Sequence, residues 1–206
     1  MHIDILTLGP FAANCYILSN DDNQALVIDP GFDPDTIDAR LSSKDLAVTG
    51  YILTHGHMDH VSGLAGLLAI RPAPVAMHPA DFTWAFTDAN GWEPYYSVPT
   101  GPDKLDTEFT DNQSLTGLDT EYTVYESPGH SPGGVLIHFP EQKLLFTGDT
   151  LFAGSIGRTD LPRSNPEDME RSLERCKQFP PDTRVFPGHG PETSIGRELA
   201  TNPFLR

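Results

Sequence analysis

Within six positions of the run Thr54-His-Gly-His-Met-Asp-His60, the chain carries three imidazoles and a carboxylate: His55, His57, Asp59 and His60. That donor set is the one borderline-soft divalent metals select. Residues 51–54, just before it, are short, apolar and β-prone, which predicts a strand running into the motif. His55 and His57 lie two apart, so on extended backbone they project to the same side. Asp59 and His60 open an apolar-periodic stretch (Val61, Leu64, Leu67, Leu68) that predicts a helix ending before Pro72. A strand-loop-helix junction would therefore present four donors, from two backbone directions, to one small volume.

Three more strand ends carry matching residues. Ser127-Pro-Gly-His130-Ser-Pro-Gly133 sets a histidine among turn-formers, between strand-like runs at 122–126 and 134–139. Leu144-Leu-Phe-Thr-Gly-Asp149 is an apolar strand ending in a carboxylate, and Arg184-Val-Phe-Pro-Gly-His189-Gly190 another ending in a histidine between glycines. Gly-rich ends allow ligand and metal to approach the backbone closely. Seven candidates are one ligand set too many for a single tetrahedral metal. Two metals side by side, bridged by Asp149 and a water, would use all seven.

The order T-H-x-H-x-D-H, P-G-H-[ST]-P-G, G-D, P-G-H-G resembles the metallo-β-lactamase superfamily, and within it the glyoxalase II-like (hydroxyacylglutathione hydrolase-like) thioesterases. The resemblance extends to Gly9-Pro-Phe-Ala-Ala-Asn-Cys-Tyr16, Ile28-Asp-Pro-Gly31, Gly157-Arg-Thr-Asp160 and Asn202-Pro-Phe204. It implies an α/β, four-layer αββα sandwich with the metals at one edge of the two sheets. It further implies that His55, His57 and His130 hold one divalent ion, that Asp59, His60 and His189 hold the other, and that Asp149 bridges them. Zinc is the first expectation, with iron or manganese as alternatives. Hydrolysis of a thioester such as S-lactoylglutathione, by a metal-bridging hydroxide that Asp59 helps to orient, is the implied reaction. Two alternatives stay open: a persulfide dioxygenase-like oxidoreductase with one iron, and a lactone or β-lactam hydrolase of the same superfamily. A thioester suits such a site because a thiol ionising near pH ~8.5 leaves with little help from a general acid. Arg158 and Asp160 are expected either to orient the ligands from behind or to form a surface ion pair.

The remaining features fit one domain over residues 1–206. A length of 206 residues is enough to bury a proper core. With 29 acidic against 13 basic residues and a formal charge of −16, binding to nucleic acid or anionic membranes is disfavoured. No apolar run reaches spanning length and no signal-like leader opens the chain, which predicts a soluble cytoplasmic protein acting on a small molecule. Cys15 and Cys176 are expected as buried free thiols, and His2, His78 and His138 as structural. Strands are predicted near 2–8, 14–18, 25–29, 50–54, 74–77, 122–126, 134–139, 143–148 and 184–187. Helices are predicted near 34–41, behind Asp33-Pro34, and after the cap Asn165-Pro-Glu-Asp168. Residues 79–115 are polar, Pro/Gly-punctuated and rich in aromatics, which predicts a helical insert or lid near the site. Two-domain glyoxalase II enzymes carry a C-terminal helical extension that supplies basic residues to glutathione. This chain stops at Arg206, with Arg197 and Arg206 its only late cations, so that extension is not expected.

Overall fold

The computed structural model describes residues 1–206. In chain order the first half contains β1 (His2–Leu8), β2 (Ala13–Ser19), β3 (Gln24–Ile28), α1 (Pro34–Ser43), β4 (Ala47–Ile52), α2 (Met58–Val61), α3 (Leu64–Ile70), β5 (Val75–Met77), α4 (Pro79–Ala85) and β6 (Thr107–Glu108). The second half contains β7 (Gln113–Gly117), β8 (Thr120–Glu126), β9 (Val135–Phe139), β10 (Leu144–Gly148), β11 (Leu151–Phe152), β12 (Ser155–Ile156), α5 (Pro166–Cys176), β13 (Arg184–Pro187), β14 (Thr193–Ser194) and α6 (Ile195–Thr201). One six-stranded sheet runs β1-β2-β3-β4-β5-β6, the other β14-β13-β10-β9-β8-β7. Both are mixed: β3, β4, β5 and β6 pair in parallel, as do β10 and β13, and the other neighbours are antiparallel.

Period-2 alternation sorts the side chains into layers. Tyr16, Leu18, Leu26, Ile28 and Ile52 of the first sheet face Val124, Ile137, Phe139, Phe146 and Phe186 of the second. Their neighbours Cys15, Ile17, Val27 and Tyr51 turn the other way, onto Ile37 and Leu41 of α1, Val61 of α2, and Leu64 and Leu67 of α3. Leu136, Leu145 and Val185 turn outward from the second sheet onto Met169, Leu173 and Cys176 of α5. The result is the expected four-layer αββα sandwich. Because both faces of the central strands are buried, they read as continuous apolar runs.

Local signals explain several boundaries. Asp33 caps α1 through a hydrogen bond from the Thr36 amide (3.2 Å), and Asn165 caps α5 by accepting from the Glu167 and Asp168 amides. The helix expected across 61–68 is broken into α2 and α3 at Ser62-Gly63. There the Gly63 amide donates to the Pro30 carbonyl at 2.9 Å, a tertiary bond that competes with the helical ladder. Segment 79–115 divides between two roles. Its first part is helical, as expected, but β6 and the start of β7 complete the edges of the two sheets rather than covering the site.

Phe146 is fully buried between the sheets, 5.1 Å centroid to centroid from both Tyr16 and Phe186. Phe146→Ala should cost about 3–5 kcal/mol, read as a shift of the urea unfolding midpoint at constant slope. A loss below about 1 kcal/mol would mean that this layer is not close-packed.

Candidate metal centre

Five strands deliver the site, each at its C-terminal end. Asp29 follows β3, the 54–60 run follows β4, His130 lies in the loop after β8, Asp149 follows β10, and His189 lies just past β13. The two sheets are tied at this edge by the Val135 amide donating to the Thr54 carbonyl (2.9 Å) and the Asn14 amide donating to the Gly188 carbonyl (2.7 Å). Gly148 sits at φ +46, a left-handed turn that swings Asp149 off the end of β10. A Cβ on Gly188 would run into Asp149 Oδ1 and lie 2.8 Å from His60 Cε1, so only glycine lets the His189 loop pass.

All seven expected donors come together. The ligand atoms of His55, His57 and His130 lie within 4.8 Å of one another, as do those of Asp59, His60 and His189. Asp149 stands between the two triads, with Oδ1 at 3.4 Å from His60 Nε2 and Oδ2 at 3.4 Å from His130 Nε2 and 3.5 Å from His189 Nε2. Asp59 Oδ2 lies 3.2 Å from His189 Nε2.

The hydrogen-bond partners behind the rings fix which nitrogens face inward. His130 Nδ1–H donates to the Arg158 carbonyl (2.9 Å) and His189 Nδ1–H to the Phe11 carbonyl (3.1 Å). His60 Nδ1–H donates to Asp29 Oδ2 (3.0 Å). The Thr54 hydroxyl donates to Asp29 Oδ2 (2.6 Å), which leaves its lone pairs to accept from His55 Nδ1–H (3.1 Å). Each of these rings therefore turns Nε2 toward the centre, the atom that carries the lone pair in the neutral imidazole. His55 Nε2, His57 Nδ1 and Asp149 Oδ1 are buried with no hydrogen-bond partner at all. Buried polar atoms are normally satisfied, and three orphans aimed into one volume fit bound cations.

The electrostatics point the same way. Burial, reinforced by the other imidazoles, pushes His55 far below the ordinary histidine range and His57 down to about 3, so both stay neutral and ligand-ready. Burial also opposes the Asp59 anion, yet the imidazoles of His60 and His189 hold its carboxyl below the usual carboxylate range. At His60 the order reverses: burial disfavours the imidazolium, but Asp59, Asp149 and Asp29 together lift it to about 10. With Nδ1–H committed on both rings, the Nε2 atoms of His60 and His189 face each other at 3.3 Å. That gap requires a positive charge. A proton supplies it in the chain alone, and a divalent ion would displace that proton on binding.

Two buried carboxylates that motif reading passed over organise the centre. Asp29, at φ +51, accepts from the Thr54 amide (2.7 Å), the Thr54 hydroxyl and His60, so its oxygens are spent behind the ligands. Asp81 accepts from the Gly56 amide (2.7 Å), the Ser131 hydroxyl (2.6 Å) and the Gly133 amide (2.6 Å), stapling the His57 loop to the His130 loop. The one sequence signal was the turn at Asp29-Pro-Gly31; nothing local marks Asp81. The Arg158 and Asp160 side chains lie at the surface, 61% and 71% exposed, and pair with each other at 2.8 Å. The contact behind His130 comes instead from the Arg158 backbone carbonyl. His78 caps α4 and meets Glu126, His138 packs on Phe179, and His2 lies beside Asp21. None of these three belongs to the metal centre. Cys15 and Cys176 are buried, and burial pushes the Cys15 thiol far up and Cys176 to about 12.

The centre opens into a cavity of about 500 Å³ whose walls include Phe11, Trp84, Asn90, Trp92 and Arg163. Trp84 and Trp92 are thus the part of the aromatic-rich segment that does reach the site.

Residues 8–189 match the family described as the metallo-beta-lactamase superfamily. A hydroxyacylglutathione hydrolase, GloC of Haemophilus influenzae, is 33% identical over 100% of this chain and 98% of its own. A crystal structure of the BLEG-1 B3 metallo-beta-lactamase superposes with a TM-score of 0.92 at 33% identity, covering 99% of each chain. One of TTHA1623 in a di-iron-bound form gives 0.87 at 38% identity, covering 98% of this chain and all of that one.

Asp29→Asn keeps the shape but removes the charge that holds His60. It should weaken loading of the ion shared with Asp59 and His189 by roughly 10- to 100-fold, measured by competition with a chromophoric chelator. Unchanged affinity would show that His60 is oriented without Asp29.

Proposed function

Because the chain belongs to the metallo-beta-lactamase superfamily, we propose that it is a binuclear metal-dependent hydrolase of a thioester of the hydroxyacylglutathione kind. His55, His57 and His130 would hold one ion, Asp59, His60 and His189 the other, with Asp149 between them. Zinc is the first expectation from the nitrogen-rich donor set, and the di-iron-bound relative makes iron the alternative. Divalent ions held there would supply a Lewis acid and bring the ionisation of a bound water close to neutral pH.

The chain's own groups do the rest. Asp59 lines the cavity with its carboxylate kept anionic, an acceptor that can orient an attacking water. Phe11, Trp84 and Trp92 give apolar walls that exclude bulk water and confine the substrate. One observation carries the choice of thioester: outside the seven metal-competent residues, the polar groups on side chains lining the cavity are those of Trp84, Asn90, Trp92, Arg158 and Arg163. None donates a proton readily near neutral pH, so an amine leaving group has no dedicated acid, whereas a thiolate with pKa ~8.5 needs none. The hydroxyacylglutathione hydrolase among the relatives agrees with that choice. The BLEG-1 lactamase favours a second reading, β-lactam hydrolysis on the same centre.

Metal-replete protein should turn over S-lactoylglutathione with a kcat/KM well above that for a chromogenic cephalosporin. The double variant Cys15→Ser/Cys176→Ser should keep that turnover, since both thiols sit in the core, while His57→Ala or Asp59→Ala should lose most of it. The cephalosporin as the better substrate would establish the lactamase reading instead. A metal-replete but inactive Cys double variant would overturn the water-based chemistry.

A further inference from the structure

Arg163 stands apart from the other cations of this acidic chain. Nine of the 13 Lys and Arg side chains are paired with carboxylates. Arg158, at the same cavity, is one of them, held bidentate by Asp160 at 2.8 and 3.0 Å. Of the unpaired cations only Arg163 lines the cavity. Its guanidinium lies over the Trp84 ring, 4.9 Å from the centroid. Trp84 is itself nearly fully buried and meets the His57 ring edge-on at 5.3 Å. A single indole therefore separates the free cation from the metal-ligand cluster.

The backbone here is also unusual. Arg163 sits at φ +72, a left-handed conformation in which glycine would be free of steric cost. Among the ten non-glycine residues at positive φ, Arg163 is the one whose side chain both lines the cavity and lies over Trp84. The contact with the Trp84 ring uses no N–H of the guanidinium, and no carboxylate pairs with it, so its donor fork is free to take a carboxylate bidentate. A lysine could supply the charge but neither the stack nor the fork. The field of the molecule gives this single group added weight. Against a formal charge of −16, it offers an anionic substrate a local point of attraction at the cavity wall.

We propose that Arg163, seated over the Trp84 ring, anchors a carboxylate on the part of the substrate remote from the reacting carbonyl. The inference rests on reading the cavity as the substrate site of a thioesterase, and it names the side chain of this chain that would recognise a carboxylate on the thiol. Arg163 is then a binding and specificity residue that touches the distal end of the substrate, while the reacting atoms lie over the metal centre.

The test uses calorimetric binding of S-methylglutathione, which has no free thiol to bind metal, and of its diethyl ester, in which both carboxylates are blocked. Metal-loaded wild type should bind S-methylglutathione roughly 10- to 100-fold more tightly than Arg163→Met. Arg163→Lys should recover only part of the difference, and the diester should bind all three proteins alike. In turnover of S-lactoylglutathione, Arg163→Met should raise KM with kcat held, the pattern of lost uniform binding. Arg163→Gly relieves the backbone and should melt no lower than wild type, which separates lost binding from lost folding. Equal affinity of wild type and Arg163→Met for S-methylglutathione overturns the anchor. So does an equal loss for the diester, because the Trp84 wall rather than a carboxylate contact would then be at fault. No turnover of S-lactoylglutathione by wild type would sink the thioesterase reading, while the binding comparison would still decide the anchor.

Discussion

The constraint on which this structure turns is a set of imidazole nitrogens and carboxylate oxygens that converge on one small volume and call for positive charge there. His55, His60, His130 and His189 each spend Nδ1–H on a partner behind the ring, so the Nε2 of each is turned to the centre. His55 Nε2, His57 Nδ1 and Asp149 Oδ1 are buried and unpaired. Desolvating such groups is costly unless positive charge is placed among them. The edge of the sandwich is arranged around that need: five strand ends are aimed at one point, and glycine stands where the chains pass closest. An ion held there would link its binding to the folding of this edge, since the unfolded chain offers no preformed site.

The apparatus behind the ligands is as specific as the ligands. Asp29 fixes His60 and, through the Thr54 hydroxyl, His55, so one carboxylate orients a ring in each triad. Asp81 joins the two loops that carry His57 and His130. Tyr16 and Asn14, at the end of β2, grip the Pro187 carbonyl at 2.6 and 3.0 Å and so hold the strand that leads to His189. Charge, packing and backbone geometry act here in one direction, as expected where precise placement matters more than stability.

Much of this was legible in the sequence because metal donors are chemically rare and their backbone context is local. A histidine at the end of an apolar strand announces both its chemistry and its position, so the seven candidate side chains converge and most strands lie where the spacing predicts. The helix caps Asp33 and Asn165 were readable for the same reason. What escaped depends on distant partners. Asp81 resembles any acid in the first turn of a helix, and its acceptor role exists only because Gly56, Ser131 and Gly133 are brought to it. The break between α2 and α3 follows from the tertiary bond of the Gly63 amide to Pro30. The sequence marks Arg158 by its side chain, whereas the contact behind His130 is made by its backbone carbonyl, which any residue carries. The short strands β6, β11, β12 and β14 carry only two residues each, too few to show a period.

The most direct test is to strip the protein of metal, titrate it with zinc, and follow thermal unfolding alongside elemental analysis. The account predicts saturation near two ions per chain, with the melting temperature rising until both are bound. It also predicts that Asp149→Ala impairs both sites together, whereas His189→Ala chiefly weakens one. A single tightly held ion, retained unchanged in the His189 variant, would contradict the two-ion centre.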